Sequence, residues 1–298
     1  MANLHSHSLA LLMTLFVAGS FLSVAELSGT VHPVTLTLFR FIGAVVVFSP
    51  IVLGTAKHRT AIKEVLTKSF VISFFYSVFF ICMFKSLETT TATNTSALYT
   101  LVPFITAILC FFLLKQIVSR HMLSAYIMGS VGATWVIFRG DIDAFFNLHL
   151  NSGDLYFLAG CVSMACFSIA MKVLYKGESM PAMVFCTLNG GIIWMALVLL
   201  LLEYPIEISS ISNIDYLHIL YLAVFATLFS TLILQKITVQ LGPTRVMAYV
   251  YITPVLVLLL EFLIKGEPLN SAMLPGIAFS ILATLYLQKI GKDEAKTN

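Results

Sequence analysis

Three observations predict an all-α polytopic membrane protein of ten transmembrane helices, built as two inverted five-helix repeats. First, the 298 residues are 59% hydrophobic and only 10% charged, with a mean hydropathy of +0.97; soluble proteins carry about 25% charged residues. Second, ten apolar runs of roughly 20 residues, each about the length of a bilayer core, can be marked. They lie at about 8–27, 33–54, 68–86, 93–114, 121–138, 153–175, 181–203, 215–237, 244–264 and 271–289. Third, the stretch Thr91 to Gln116 returns 151 residues later as Gly242 to Glu267, with Pro254 in the place of Pro103 and Ala248 in that of Ala97. Repeat one covers 5–140 (spans one to five) and repeat two 152–290 (spans six to ten). Five is odd, so the second unit enters the membrane from the opposite side. No soluble domain fits in what remains.

Span one, LALLMTLFVAGSFLSVAEL, sets Gly19, Ser20 and Ser23 among bulky residues, where a neighbouring helix can approach closely. It lacks the basic leader of a signal peptide and is read as a retained span. Pro33 opens span two and Pro181 opens span seven, each at a first helical turn; span two carries Arg40. A basic connection, Gly54 to Lys68, leads to the aromatic span three, SFVISFFYSVFFICMF. Span four holds Pro103 at mid-length, which deletes the hydrogen bond to the Tyr99 carbonyl and kinks the helix. Span five has Ala125, Gly129 and Ala133 on one face, matched in span ten by Gly276, Ser280 and Thr284; such faces pack backbone to backbone. An acidic loop, Arg139 to Gly153, joins the halves, and Gly191 of span seven stands for Gly43. Span eight is apolar except for Thr227, Ser230, Thr231 and Gln235, and span nine repeats the kink at Pro254, at the expense of the Val250 carbonyl.

With the amino terminus placed inside, thirteen of the 17 Lys and Arg fall on or near the inner side, three (Lys85, Arg139, Lys265) outside, and Arg40 within a span. That bias predicts cytoplasmic termini and accounts for the net charge of +3 without a nucleic-acid partner. Asp141, Asp143, Glu203, Glu207 and Asp215 collect outside. The five cysteines lie in apolar runs with no CxxC pair and read as small packing groups.

Inverted repeats characterise secondary transporters, with the substrate near the midplane between the halves. Pro103 lies about ten residues from the outer end of its helix and Pro254 about ten from the inner end of its own, so both kinks reach roughly 15 Å into the membrane. Two such bends suit either packing or a gated cavity, since a freed carbonyl in hydrocarbon needs a partner.

At these residues the sequence resembles the EamA-like drug/metabolite transporter superfamily: kinked fourth and ninth helices, Gly266-Glu267-Pro268-Leu269 closing the ninth, and Leu38-Phe39-Arg40-Phe41 in the second. The likeness covers nearly the whole chain, once per half. It implies a carrier that exports amino acids, metabolites or toxic organic compounds across the bacterial inner membrane, with a central cavity lined by spans one, three, four, six, eight and nine. Lys115-Gln116 stands where the family often repeats Gly-Glu, and Leu188 is the counterpart of Arg40.

An intramembrane charge is by default functional, and Glu26 and Glu261 lie at a depth to pair with Arg40; the alternative is a structural contact. Lys85, Lys172 and Glu261 are close enough to span ends to snorkel. Ser96, Tyr99, Thr100 and Pro103 share a helical face, and Tyr251 takes the place of Thr100 in the second half. Hydroxyls and rings around an unwound point suit an amphipathic organic solute, and Tyr76, Phe80, Ser168 and Ser230, with Pro254, complete the candidate lining. Each of these also serves as an ordinary packing group, as does Asn189 beside Gly190-Gly191.

No GxxxxGK[ST] loop, HExxH or GxSxG is present, and the seven histidines lack metal-ligand spacing, so no ATP, cofactor or metal is expected and no enzyme. Asn94-Thr95-Ser96 matches a glycosylation sequon by accident of position. The reading is a secondary carrier, an exporter by resemblance, for a small organic solute such as an amino acid, working by alternating access in the bacterial inner membrane. An importer is the nearest rival, and a membrane scaffold or sensor the rival of another class. No carboxylate lies at mid-membrane, so facilitated diffusion and antiport both fit.

Overall fold

The computed structural model describes residues 2–27, 30–143, 151–203, 212–266 and 270–297, with the side chains of 2–4, 92 and 291–297 left out. Glu207, Glu267-Pro268-Leu269, most of the loop between the halves, and the side chains of Lys292 and Lys296 fall outside the described residues.

The described chain is helical throughout. Span one is α1 (Ala2–Glu26), span two α2 (Pro33–Gly54) and span three α3 (Ala56–Leu87). Span four is α4 (Ala92–Tyr99) plus α5 (Val102–Leu114), and span five is α6 (Arg120–Ile137). Spans six and seven are α7 (Ser152–Leu174) and α8 (Met180–Leu202). Span eight joins α9 (Asn213–Ala223) and α10 (Ser230–Leu241) through a π-helical stretch, Val224–Phe229. Span nine is α11 (Pro243–Met247), a 3₁₀ turn (Ala248–Ile252) and α12 (Thr253–Lys265), and span ten is α13 (Leu274–Thr297). Nine of these spans are long and apolar enough to cross a membrane. The other, span five, has 18 residues and spends its first turn on Arg120 and His121.

Polar residues cap these helices where the run of apolar residues begins. Asn151 and Asp154 form a capping box on α7, and Ser212 and Asp215 another on α9, each satisfying backbone donors that open a helix. The basic connection expected from Gly54 to Lys68 is instead helical from Ala56, because Ala, Lys, Glu and Leu are good helix formers and Thr55 alone breaks the chain.

The bends precede the prolines. Thr100 and Leu101 donate to Ala97 and Leu98 in 3₁₀ fashion before α5, and Ala248–Ile252 does the same before α12. The Val250 carbonyl, deprived by Pro254, accepts from the Thr253 N–H instead. At the bend before Pro103, Ser130 Oγ of span five donates to the Thr100 carbonyl at 3.1 Å.

The helices pack as inverted twins. Span three packs on six and seven, as span eight packs on one and two; span four packs on six as nine packs on one. Spans two and seven, four and nine, and five and ten meet their own counterparts. Spans five and ten touch backbone to backbone, as expected, but through Gly132 and Gly276: a Cβ on either would come within 2.9 Å of the other's carbonyl oxygen. The Gly129 face is covered by the Tyr251 ring instead, 2.5 Å from where a Cβ would stand.

Candidate functional site

At the end of the bundle away from the termini, a cavity of about 240 Å³ lies between spans four, five and nine, with Phe21 of span one beside it. Ser96, Tyr99, Thr100 and Pro254 line it, as their sequence positions suggested. Val250, Thr253, Val257, Leu258 and Glu261 complete the span-nine wall. They sit at −4, −1, +3, +4 and +7 from Pro254, so helical spacing from that proline could have found them. At the mouth, Arg139 Nη2 lies 3.2 Å from Glu261 Oε2, and a wider vestibule of about 570 Å³ extends past Gly140, Asp141 and Asn270.

The other expected residues lie elsewhere. Pro103 is buried outside this wall. Tyr251 is fully buried, its hydroxyl donating to the Tyr126 carbonyl at 3.1 Å and lying 3.4 Å from Ser130 Oγ. Ser230 bonds within its own helix, to the carbonyls of Ala226 and Thr227, and Asn189 likewise bonds the Phe185 carbonyl. Ser168 is buried beside Phe167, whose ring stacks on Tyr76 at 4.5 Å. Tyr76, Phe80 and Arg40 form a second group deeper in the bundle.

Arg40 does not pair with Glu26 or Glu261, against expectation. Glu26 bonds Lys265 at 2.8 Å and Glu261 bonds Arg139, because short acidic side chains at span ends reach nearer cations there. Arg40 points into the bundle. Its Nε donates to Thr227 Oγ1 at 3.1 Å, and its Cζ lies 5.7 Å over the Phe80 ring. Thr227 belongs to the π-helical stretch of span eight, an insertion of the type that gathers at functional sites. Its meeting with Arg40 was not readable, because a π turn shifts the face each later side chain presents. Rings link the two groups: Tyr99, on the cavity wall, lies 5.7 Å from Phe79, which lies 5.3 Å from Phe80.

Hydrogen bonds tie the spans together at the termini end. Ser6 Oγ donates to Gln240 at 2.8 Å, His7 Nδ1 lies 2.7 Å from the Tyr249 hydroxyl, and Arg245 exchanges hydrogen bonds with Gln288 at 3.2 and 2.7 Å. These contacts tie span one to eight and nine, and nine to ten. Lys172 is exposed, as expected of a residue near a span end, and it donates to the Val239 carbonyl at 2.5 Å. Among the described residues no group of His, Cys, Asp and Glu has the makings of a metal site.

The family pattern of EamA-like transporters matches residues 5–138 and again 151–287. The chain belongs to the EamA-like transporter family. That family is one of transporters rather than enzymes, and the chain is a multi-pass membrane protein of it. Two relatives come from Bacillus subtilis (strain 168). Uncharacterized transporter YyaM is 23% identical over 68% of this chain and 66% of its own length, a little under two thirds. Uncharacterized transporter YetK is 24% identical over 93% of this chain and 85% of its own. A solved structure, described as "Crystal structure of protein", shares the fold with a TM-score of 0.76 at 16% identity, over 96% of this chain and 98% of that one.

Proposed function

We propose that this EamA-like protein is a secondary carrier that exports a small organic solute, such as an amino acid or related metabolite, from the bacterial cytoplasm by alternating access. The termini then lie in the cytoplasm, the tied end faces inward, and the cavity beneath Arg139 and Glu261 is the exit side. The crowding of Lys and Arg at the termini end supports that orientation, and the relatives support a bacterial setting.

The observation that carries the reading is an asymmetry between symmetric places. The place between the two bent spans at the far end holds a cavity and its inverted counterpart at the termini end is filled, as in a carrier stopped in one of two alternating states. Access from the other side then requires release of the ties at Ser6, His7 and Arg245 and movement of spans four and nine about their bends. The wall of hydroxyls and one tyrosine ring suits an amphipathic solute.

The test is counterflow in proteoliposomes with a panel of labelled amino acids and neutral and cationic organic solutes. At least one solute is expected to exchange faster than in empty vesicles. Thr100→Tyr, which places in the cavity the ring that its counterpart carries, is expected to slow that exchange at least tenfold while leaving the protein monodisperse. No movement of any solute across the panel would overturn the reading.

A further inference from the structure

Arg40 is turned towards spans three and eight, and its side chain keeps part of its accessible surface. Among the described residues it has no carboxylate partner. Its one hydrogen bond runs from Nε to Thr227, and its terminal amino groups are neither bonded nor sealed. A guanidinium held this way in low dielectric is an uncompensated charge, costly unless something pairs with it. Phe80 and Thr227 orient the group without neutralising it.

We infer that the free edge of the Arg40 guanidinium is the binding point for a single carboxylate of the transported solute, whose apolar remainder lies against Phe80 and Tyr76. The planar fork of an arginine matches a carboxylate with two parallel hydrogen bonds. One cation neutralises one negative charge, and among the described residues no lysine or second arginine joins it, which disfavours phosphates and dicarboxylates. Tyr76 and Phe80, whose rings lie 5.1 Å apart at 64°, offer the apolar wall. The Tyr99–Phe79–Phe80 chain of rings leads there from the cavity. This inference rests on the carrier reading and specifies the charge of its solute.

The experiment compares 3-phenylpropionate, phenylalanine, phenylalaninamide and 3-phenylpropanol. Proteoliposome counterflow and protection against thermal unfolding are both measured, on the wild type, Arg40→Lys and Arg40→Gln. The wild type is expected to exchange, and be protected by, the two carboxylates and not the amide or the alcohol. Arg40→Gln should lose carboxylate exchange by roughly 30-fold or more, with Arg40→Lys in between. Should Arg40→Gln fail to fold, protection of the wild type decides: equal protection by 3-phenylpropionate and 3-phenylpropanol overturns the inference. Exchange of the amide or alcohol as fast as the acids, unchanged in Arg40→Gln, overturns it while leaving the carrier reading intact. Failure of the wild type to move any probe here, or any solute of the wider panel, overturns both.

Discussion

The cavity at the far end and the filled site at the termini end are built from the same positions of the two repeats. Around the cavity, Val136, Leu258 and Met273 cluster with Val255 and Ile277. At the other end Leu287, Ala107 and Met122 cluster with Phe104 and Tyr126, each 151 residues away from its twin. The packing is therefore inverted residue for residue, and the difference lies in what fills the bend. At the far end it is Thr100, whose hydroxyl folds back on the Ala97 carbonyl at 2.7 Å and leaves the space open. At the termini end it is Tyr251, which lays its ring on Gly129 and bonds the Tyr126 carbonyl. Closure here is a matter of one side chain's volume, supported by a glycine that makes room for it.

Removing the plug should have the largest effect. Tyr251→Ala deletes a fully buried ring and its hydrogen bond, and is expected to destabilise the protein by about 3–5 kcal/mol, read as a fall in the thermal unfolding midpoint in detergent. A midpoint within error of the wild type would mean that the ring does not hold that end together.

Crowding the plug should cost less. Gly129→Ala places a methyl 2.5 Å from two carbons of the Tyr251 ring, which must then shift. Overpacking of this kind costs about 1–3 kcal/mol. Combined with Tyr251→Ala the same substitution should be close to neutral, since its clash is with that ring; a full additional loss in the double mutant would break the pairing.

The smallest effect has the opposite sign. Lys115 and Gly266 occupy the same position in the two repeats, the end of a kinked helix, and both adopt left-handed backbone, with φ of 55° and 72°. The glycine is suited to this conformation and the lysine pays about 1 kcal/mol for it. Lys115→Gly should therefore raise stability by about that amount, measured by the same thermal assay, whereas Gly266→Lys should lower it. The departure from the family's Gly-Glu pattern is thus a change of residue on an unchanged backbone.

Much of this architecture was legible because bilayer and proline physics act locally. A run of twenty apolar residues has few alternatives to a spanning helix, and Pro103 and Pro254 break their helices wherever the rest of the chain lies. The face of Ser96, Tyr99 and Thr100 followed from helical spacing, and it does line the cavity. Arg40 was conspicuous as a charge, but its partner was not. The two glutamates at its depth are taken by Arg139 and Lys265, and the residue that meets it sits on a π turn with no clear mark in composition.

The amino-acid sequence alone determined the membrane class, the duplicated helices, their bends and the residue types at each bend, since these depend on composition, spacing and the chemistry of single residues. Which end of the bundle would hold the cavity was decided only by tertiary packing. Thr100 and Tyr251 acquire opposite roles because Gly129 from another span receives one ring, while nothing of comparable bulk enters beside the other. The direction in which Arg40 turns was likewise settled by Thr227 and Phe80, brought to it from spans far along the chain, because a charge in a low-dielectric interior goes where polar atoms and ring faces are held for it.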